Sequence, residues 1–300
     1  MAKLASIGLA VACLLTALAP AQEKQENKSN DAIARYIFVS GYQLAGGKYA
    51  SYTNLLAQFR DITSSAAPDL HWIAGTPITG DSDRVTYVSS LDSMASVEKM
   101  MTDFDKVDQA IAAKNPSLAS EFAEIEKGSH SILAEYNKEL SYRPDAVPMA
   151  DTKWWSGGVY QLKPGCDYEF ADALKQLIEV GKRTNAVGHW IAYNVRVGAP
   201  EPTILMVSPM QSLAERDQET PAAAREAFAS VAMRQMRERI GKECIQHVEH
   251  SLTRVDPALS RPPQSLVAAN PDFWTPKPAA PVASAKPAKG IKKVTAEPAR

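Results

Sequence analysis

The chain has 300 residues, 45% hydrophobic and 22% charged, which is ordinary globular composition and enough length for two domains with their own cores. Thirty-three Lys+Arg against 34 Asp+Glu leave a formal net charge of −1. That balance argues against a nucleic-acid binder and creates no field toward an acidic surface.

The first element is a targeting segment. Lys3 precedes the apolar run Leu4–Leu18, and Ala19-Pro20-Ala21 follows as a small-x-small cleavage pattern. Residues 1–21 therefore read as a signal peptide with Gln22 as mature start, and the protein is expected to be exported, to the periplasm or beyond. The run contains Ser6, Gly8 and Thr16 and is too short to span a bilayer, so no integral membrane protein is expected. A lipidated start at Cys13 is disfavoured because Ala10, not Leu, stands three residues before it. Residues 22–34 read as a flexible mature N-terminus.

The aromatic, β-rich run Tyr36–Leu44 predicts a strand, and residues 49–66 a helix with Tyr52, Leu55, Leu56, Phe59 and Ile62 on one face. A second strand is expected over Leu70–Thr79, a turn at Gly80-Asp81-Ser82-Asp83 and a third strand over Arg84–Leu91. A long helix follows through Met94, Val97, Met101, Phe104 and Ile111. Asn115-Pro116 interrupts it, and the helix is expected to resume through Leu118, Phe122, Ile125 and Leu133. Leu140–Arg143 reads as a short fourth strand.

The order then repeats. His71-Trp72-Ile73-Ala74 recurs as His189-Trp190-Ile191-Ala192, an offset of 118 that also carries Tyr42-Gln43-Leu44 onto Tyr160-Gln161-Leu162 and Gly47 onto Gly165. Twelve identities fall over 36–90 without a gap, where chance gives about three or four at normal residue frequencies. The second copy places strands at 155–162, 188–197 and 203–208, a helix at 167–182, a helix from Thr220-Pro221 through Phe228, Val231, Met236 and Ile240, and a last strand near Ser251–Val255. The expected organisation is α+β unit 1 over 35–146, a linker over 147–153 and α+β unit 2 over 154–257. Each unit is βαββαβ, a split-βαβ plan whose sheet has helices on one face and needs cover on the other. Two ferredoxin-like units packed sheet to sheet supply that cover, and the pair within one chain predicts a monomer.

The βαββαβ order, the unit length and the Tyr-Gln-Leu…His-Trp-Ile-Ala frame resemble the dimeric α+β barrel superfamily, which includes antibiotic-biosynthesis monooxygenase-like and NIPSNAP proteins. The resemblance covers 36–257. It implies that the two copies form a pseudo-dimeric α+β barrel within one chain. The superfamily hosts cofactor-independent oxygenases, haem-degrading enzymes, isomerases and proteins without known activity, so the fold does not choose among them. No cofactor is evident in the residues, and haem enters only through this resemblance. The Asn, Trp and His constellation of haem-degrading members has no match here, so no catalytic residue carries over.

The candidate ligand-binding residues are His71, Trp72, His189, Trp190, Tyr42 and Tyr160. A histidine near neutral pKa can act as acid, base or axial ligand, and a tyrosine hydroxyl at a pocket mouth can orient a ligand. The plainer reading is structural: tryptophan filling core, histidine bonded to a backbone carbonyl, tyrosine with its ring buried. Alternation along a strand sends His71 and Trp72 to opposite faces. His247-Val248-Glu249-His250 places two histidines at i, i+3 on an expected helix end, but no third ligand accompanies them and no metal site is assigned. His130 reads as surface.

Cys166 and Cys244 are the two cysteines left after the leader. If strand 1 runs up, helix 2 also runs up and ends near the strand 1–helix 1 loop. That places Cys244 beside Cys166 and predicts a disulfide, against a pair of free thiols. From Ala258 to residue 300 Pro, Ala and Lys dominate and no apolar period survives, so a disordered tail is expected. Its lysines either touch anionic envelope polymers or are simply solvated. Phe273-Trp274 is the exception, an aromatic pair suited to tuck back onto the domain. Three readings remain open: binding of a small, largely apolar molecule, an oxygenase- or isomerase-type enzyme, and a non-catalytic envelope scaffold.

Overall fold

A computed structural model describes residues 33–79 and 83–275. The signal-peptide reading, the Gly80–Ser82 turn and the lysine-rich stretch from 276 onward lie outside the described residues.

Unit 1 contains β1 (Tyr36–Leu44), α1 (Tyr49–Ala66), β2 (Ile73–Pro77), β3 (Arg84–Leu91), α2 (Met94–Lys114), α3 (Leu118–Ile125) and β4 (Glu126–Tyr136). Unit 2 repeats the plan with β5 (Trp154–Leu162), α4 (Asp167–Thr184), β6 (Ile191–Val197), β7 (Thr203–Met210), α5 (Ala222–Ala229), α6 (Val231–Glu243) and β8 (Ile245–Val255). Each half forms a four-stranded antiparallel sheet, and the two join edge to edge. Gly75 pairs with Val255 where β2 meets β8, and Ala134 pairs with Val195 where β4 meets β6. The result is a closed barrel of order β1-β3-β2-β8-β5-β7-β6-β4. Closure matters because a free strand edge exposes a row of unpaired backbone donors and acceptors.

The helices lie outside the barrel. In α1, Tyr52, Leu55, Leu56 and Ile62 fall on the buried face, as their spacing predicts. They pack with Leu44, Trp72, Val85, Val107 and Leu118 into one core, and Leu162, Phe170, Leu174, Met236 and Ile240 form its counterpart in unit 2. Local devices recur as well. Gly47 (φ 73) and Gly165 (φ 84) take the left-handed turn before α1 and α4. Register shifts fall at Gln43/Leu44 and at Gln161/Leu162, where β4 and β8 begin.

The fastening between units is crosswise. Trp72 Nε1 donates to the Leu259 carbonyl (2.9 Å), in the segment after β8, and Trp190 Nε1 donates to Leu140 (2.7 Å), in the segment after β4. Ser260 and Ser141 hydroxyls accept from the Ala74 and Ala192 amides at 2.8 and 2.9 Å. The repeated Trp-Ile-Ala string is thus a clasp: each copy's tryptophan holds the end of the other copy's last strand.

Four expectations are corrected. Helix was expected through Leu133 with a strand at Leu140–Arg143, but α3 stops at Ile125 and β4 runs from Glu126 to Tyr136. Gly128, Ser129 and Ser131 are weak helix formers, and β1 offers β4 a continuous pairing partner. The 140–143 segment looked strand-like because Tyr142 makes an isolated bridge to Trp190. The helix expected from Thr220 to Ile240 breaks at Ser230, which caps α6 by accepting from the Met233 amide. His247 and His250 lie on β8, not a helix end; three residues apart on a strand they point to opposite faces and cannot share a metal. Finally, order continues past residue 258. α7 (Gln264–Ala269) and α8 (Pro271–Trp274) pack back on the barrel, with Trp274 only 4% exposed and its Nε1 bonded to Ala150 O at 2.9 Å. Three well-spaced apolar residues, Leu259, Leu266 and Trp274, are enough to dock this segment although they form no periodic pattern.

Cys166 and Cys244 are joined in a disulfide, with Cα atoms 5.3 Å apart. The bond ties the loop before α4 to the end of α6. Replacing both cysteines with serine should lower the unfolding free energy by about 2–4 kcal/mol in urea titration, the usual effect of cross-linking a loop of this order. An unchanged midpoint would show that the bond does not constrain the unfolded chain.

Candidate functional site

Strand alternation gives the barrel a lumen. The inward residues include Ile37 and Val39 of β1, Ile73 of β2, Val88 of β3, Trp155 of β5, Ile191 and Tyr193 of β6, and Leu205 and Val207 of β7. They line a cavity of about 730 Å3. Glycines stand at two inward positions. A Cβ on Gly75 would lie 3.0 Å from the Trp155 ring, and Gly157 sits opposite Val207. Away from the mouth, the polar side chains in the wall are neutral: Thr86, Ser251, Thr253 and the Tyr193 hydroxyl. A hollow of about 440 Å3 on the outer side of α4, beside Asp172, Lys175 and Glu179, is open to solvent.

The lumen's two ends differ. At one end the strands begin or finish near Ile33, His71, Ser90, Asp92 and Pro144–Met149, and Leu266 of α7 covers part of the opening. Charges gather there. Lys99 bonds Asp103 at 2.7 Å and Asp69 at 3.4 Å, while Lys106 bonds Asp103 at 2.8 Å. Hydrogen bonds from Lys106 and Lys99 hold the Asp103 carboxyl below its ordinary range. Asp92 and Asp145 add further negative charge at the rim. The other end carries the Arg84–Glu249 pair at 3.3 Å.

The residues singled out by sequence separate in space. His71 and Trp72 line the first end of the cavity, while His189, Trp190, Tyr42 and Tyr160 are not among its walls. His71 Nδ1 lies 3.4 Å from the Arg261 guanidinium, and burial, then that cation, holds its pKa below the ordinary imidazole value. His189 is occupied differently: its Nε2 sits 2.5 Å from the Pro209 carbonyl, and its own carbonyl accepts from Ser208. Trp72 stacks toward Phe59 on the helix side with ring centres 5.9 Å apart. Tyr160 packs on Phe170 at 5.7 Å.

Tyr42 belongs to a polar cluster that sequence reasoning missed. Its ring meets Tyr87 at 5.8 Å, and Tyr87 and Tyr52 share a hydroxyl–hydroxyl bond of 2.9 Å under α1. Burial raises the pKa of all three tyrosines and the charge of Glu126 adds to it, and burial pushes the Glu126 carboxyl itself up to about 7. The matching positions in unit 2 are Tyr160, Phe170, Met206 and Ile245, identified by identical pairing with β5. Unit 1 has therefore placed hydroxyls and a carboxyl where unit 2 keeps apolar contacts. A gapless comparison of the copies would have exposed part of this difference, through Tyr52 against Phe170.

No protein-family model matches the chain, and no curated protein sequence matches it. Solved structures do resemble its fold. A proposed monooxygenase from Fusobacterium nucleatum subsp. nucleatum is 13% identical, with 74% of this chain and 92% of that one covered and a TM-score of 0.45. An anthrone oxidase-like protein is 12% identical over 76% of this chain and 93% of its own, at 0.46. A chlorite dismutase from Candidatus Nitrospira defluvii, in complex with imidazole, is 6% identical over 80% and 97%, at 0.45. At these identities the likeness is one of fold alone.

A haem would need an axial ligand and cations for its propionates. His71 is the one histidine in the cavity wall, its Nδ1 faces Arg261, and Asp69, Asp92 and Asp145 surround the same end. Lys99 and the Arg261 guanidinium stand at the same end, so the mouth carries charges of both signs. Among the described residues no cluster of three metal-ligating side chains occurs.

Glu126 supplies a pH test. Its folded-state pKa is raised from 4.5 to about 7, so the folded protein binds the proton more tightly than the unfolded chain does. The Glu126 contribution to stability should fall as pH rises from about 4.5 to about 7 and then level off. Glu126→Gln should flatten that decline, melting higher than the parent at pH 8 and nearly the same at pH 4. Parallel melting curves at both pH values would show that Glu126 is not desolvated.

Proposed function

We propose that this protein binds a small, neutral, largely apolar molecule inside the barrel. The observation that carries this reading is a cavity of about 730 Å3, charged at its mouth and walled inside the barrel by aliphatic and aromatic side chains with a few neutral polar groups. Ligand sites are typically concave, mostly apolar and of this size. An ionised ligand is disfavoured, because the lumen wall offers no cation or anion to offset desolvation; the charged pairs sit at its ends. The dimeric α+β barrel resemblance is compatible with this role and with catalysis, and the titratable groups that line the cavity, among them Asp69, His71, Lys99 and Asp103, gather at its rim. We further propose that the chain acts as an exported monomer, a reading that rests on residues 1–21 and on the intrachain closure of the barrel. No helix among the described residues is long and apolar enough to cross a membrane.

N-phenyl-1-naphthylamine, a neutral apolar fluorophore, should brighten on mixing with the protein and saturate at one equivalent per chain. Val207→Phe fills part of the lumen and should weaken that binding about tenfold, in line with the effect of a small steric change in an apolar pocket. Failure of the probe to bind, or an affinity indifferent to the added ring, would count against occupancy of the lumen.

A further inference from the structure

Among the described residues, two aromatic side chains in the lumen carry a polar group without a protein partner. Among the described residues, four tyrosines are buried: Tyr36, Tyr52, Tyr142 and Tyr193. Three are satisfied. Tyr36 bonds Glu135 (3.3 Å), Tyr52 bonds Tyr87 (2.9 Å) and Tyr142 bonds the Ala186 carbonyl (3.0 Å). Tyr193 is 6% exposed, and its hydroxyl has no hydrogen-bond partner among the described residues. The buried tryptophans divide the same way. Trp72 and Trp274 donate to Leu259 and Ala150 carbonyls, whereas Trp155, 9% exposed, has no acceptor among the described residues.

Burying an unpaired N–H or O–H is costly, so native proteins rarely seal one in. These two are not sealed: every fully enclosed side-chain nitrogen and oxygen among the described residues has a partner. The little exposure that Tyr193 and Trp155 retain therefore includes Oη and Nε1, and both residues line the cavity. The Trp155 ring is held with its benzo edge against Gly75, where a Cβ would come within 3.0 Å of Cζ3. That leaves the Nε1 edge on the far side of the ring. Burial pushes the Tyr193 pKa upward, so its hydroxyl keeps its proton and can donate.

The offset of 118 carries Gly75 onto Tyr193 and Ile37 onto Trp155. Unit 1 meets the same barrel geometry with Gly and Ile, so neither the fold nor the closure requires a donor at these two positions.

We propose that Tyr193 and Trp155 are the specificity determinants of the lumen and that its ligand is a neutral apolar molecule bearing hydrogen-bond acceptor oxygen, as in a ketone, ester or ether. An indole N–H can only donate, which selects acceptors. A carboxylate is disfavoured because Lys99, the lysine among the lining residues, is already paired with Asp103 and Asp69. This rests on the lumen being the binding site.

Two isosteric probes test it: 2-acetylnaphthalene, which carries a carbonyl, and 2-ethylnaphthalene, which replaces that carbonyl with CH2. Binding of each is measured by equilibrium dialysis to the full chain and to the Tyr193→Phe and Trp155→Phe variants. Loss of one neutral hydrogen bond should weaken the ketone about fivefold in at least one variant and leave the hydrocarbon within about twofold. The hydrocarbon controls for altered packing, since Trp155→Phe also removes ring surface. If both probes bind and both variants treat them alike, the lumen is a site but these residues do not read acceptors, and the proposal fails. If neither probe binds the parent protein, the lumen reading fails and this inference falls with it.

Discussion

Closure of the barrel is the constraint on which the rest depends. Each half presents a four-stranded sheet with helices on one face, a bare second face and two open edges. The β2–β8 and β4–β6 pairings remove all of the edges at once. Curling the joined sheet also turns both bare faces inward, where they meet across the lumen rather than water. Neither half could do this alone, because an isolated split-βαβ sheet has no second layer on that side. The tryptophan clasps reinforce the join: Trp72 and Trp190 each fasten the segment after the other half's last strand, so the two seams are held by the same chemistry.

Closure explains why the interior is hollow and why it is asymmetric. A barrel of eight strands encloses space that side chains must fill or leave free. Here small residues occupy some inward positions, Gly75 and Gly157 among them, and the space persists. The two halves then differ where the fold is indifferent. Trp155 and Tyr193 answer Ile37 and Gly75 inside the barrel, and the Tyr52–Tyr87–Glu126 cluster answers Phe170, Met206 and Ile245 outside it. Unit 2 carries the disulfide instead. Symmetric positions are scaffold, and departures from symmetry mark where a role beyond folding has room to act.

Much of this was legible in the chain. The offset of 118 revealed the repeat, helical spacing located α1 and α4, and the direction of strands and helices brought Cys166 to Cys244. The candidate site was less legible. The histidines and tyrosines of the repeated strings drew attention because they recur, yet recurrence selects the clasp and the core. His189 is bonded to a backbone carbonyl, and Tyr42 and Tyr160 sit under helices. The lumen residues do not recur, so a search for shared residues passes over them.

The sequence by itself determined the local elements and their duplication, because periodicity, turn glycines and capping act over a few residues. It could not place Glu126–Tyr136, since a weakly helical segment becomes a strand only when β1 lies beside it for its whole length. Nor could it show that residues 258–275 dock, because Leu259, Leu266 and Trp274 find their surfaces only on the finished barrel. Tertiary structure alone decided that Tyr193 and Trp155 face one cavity without partners. Whether a buried donor is satisfied depends on atoms supplied from distant strands, and those come together only when the barrel closes.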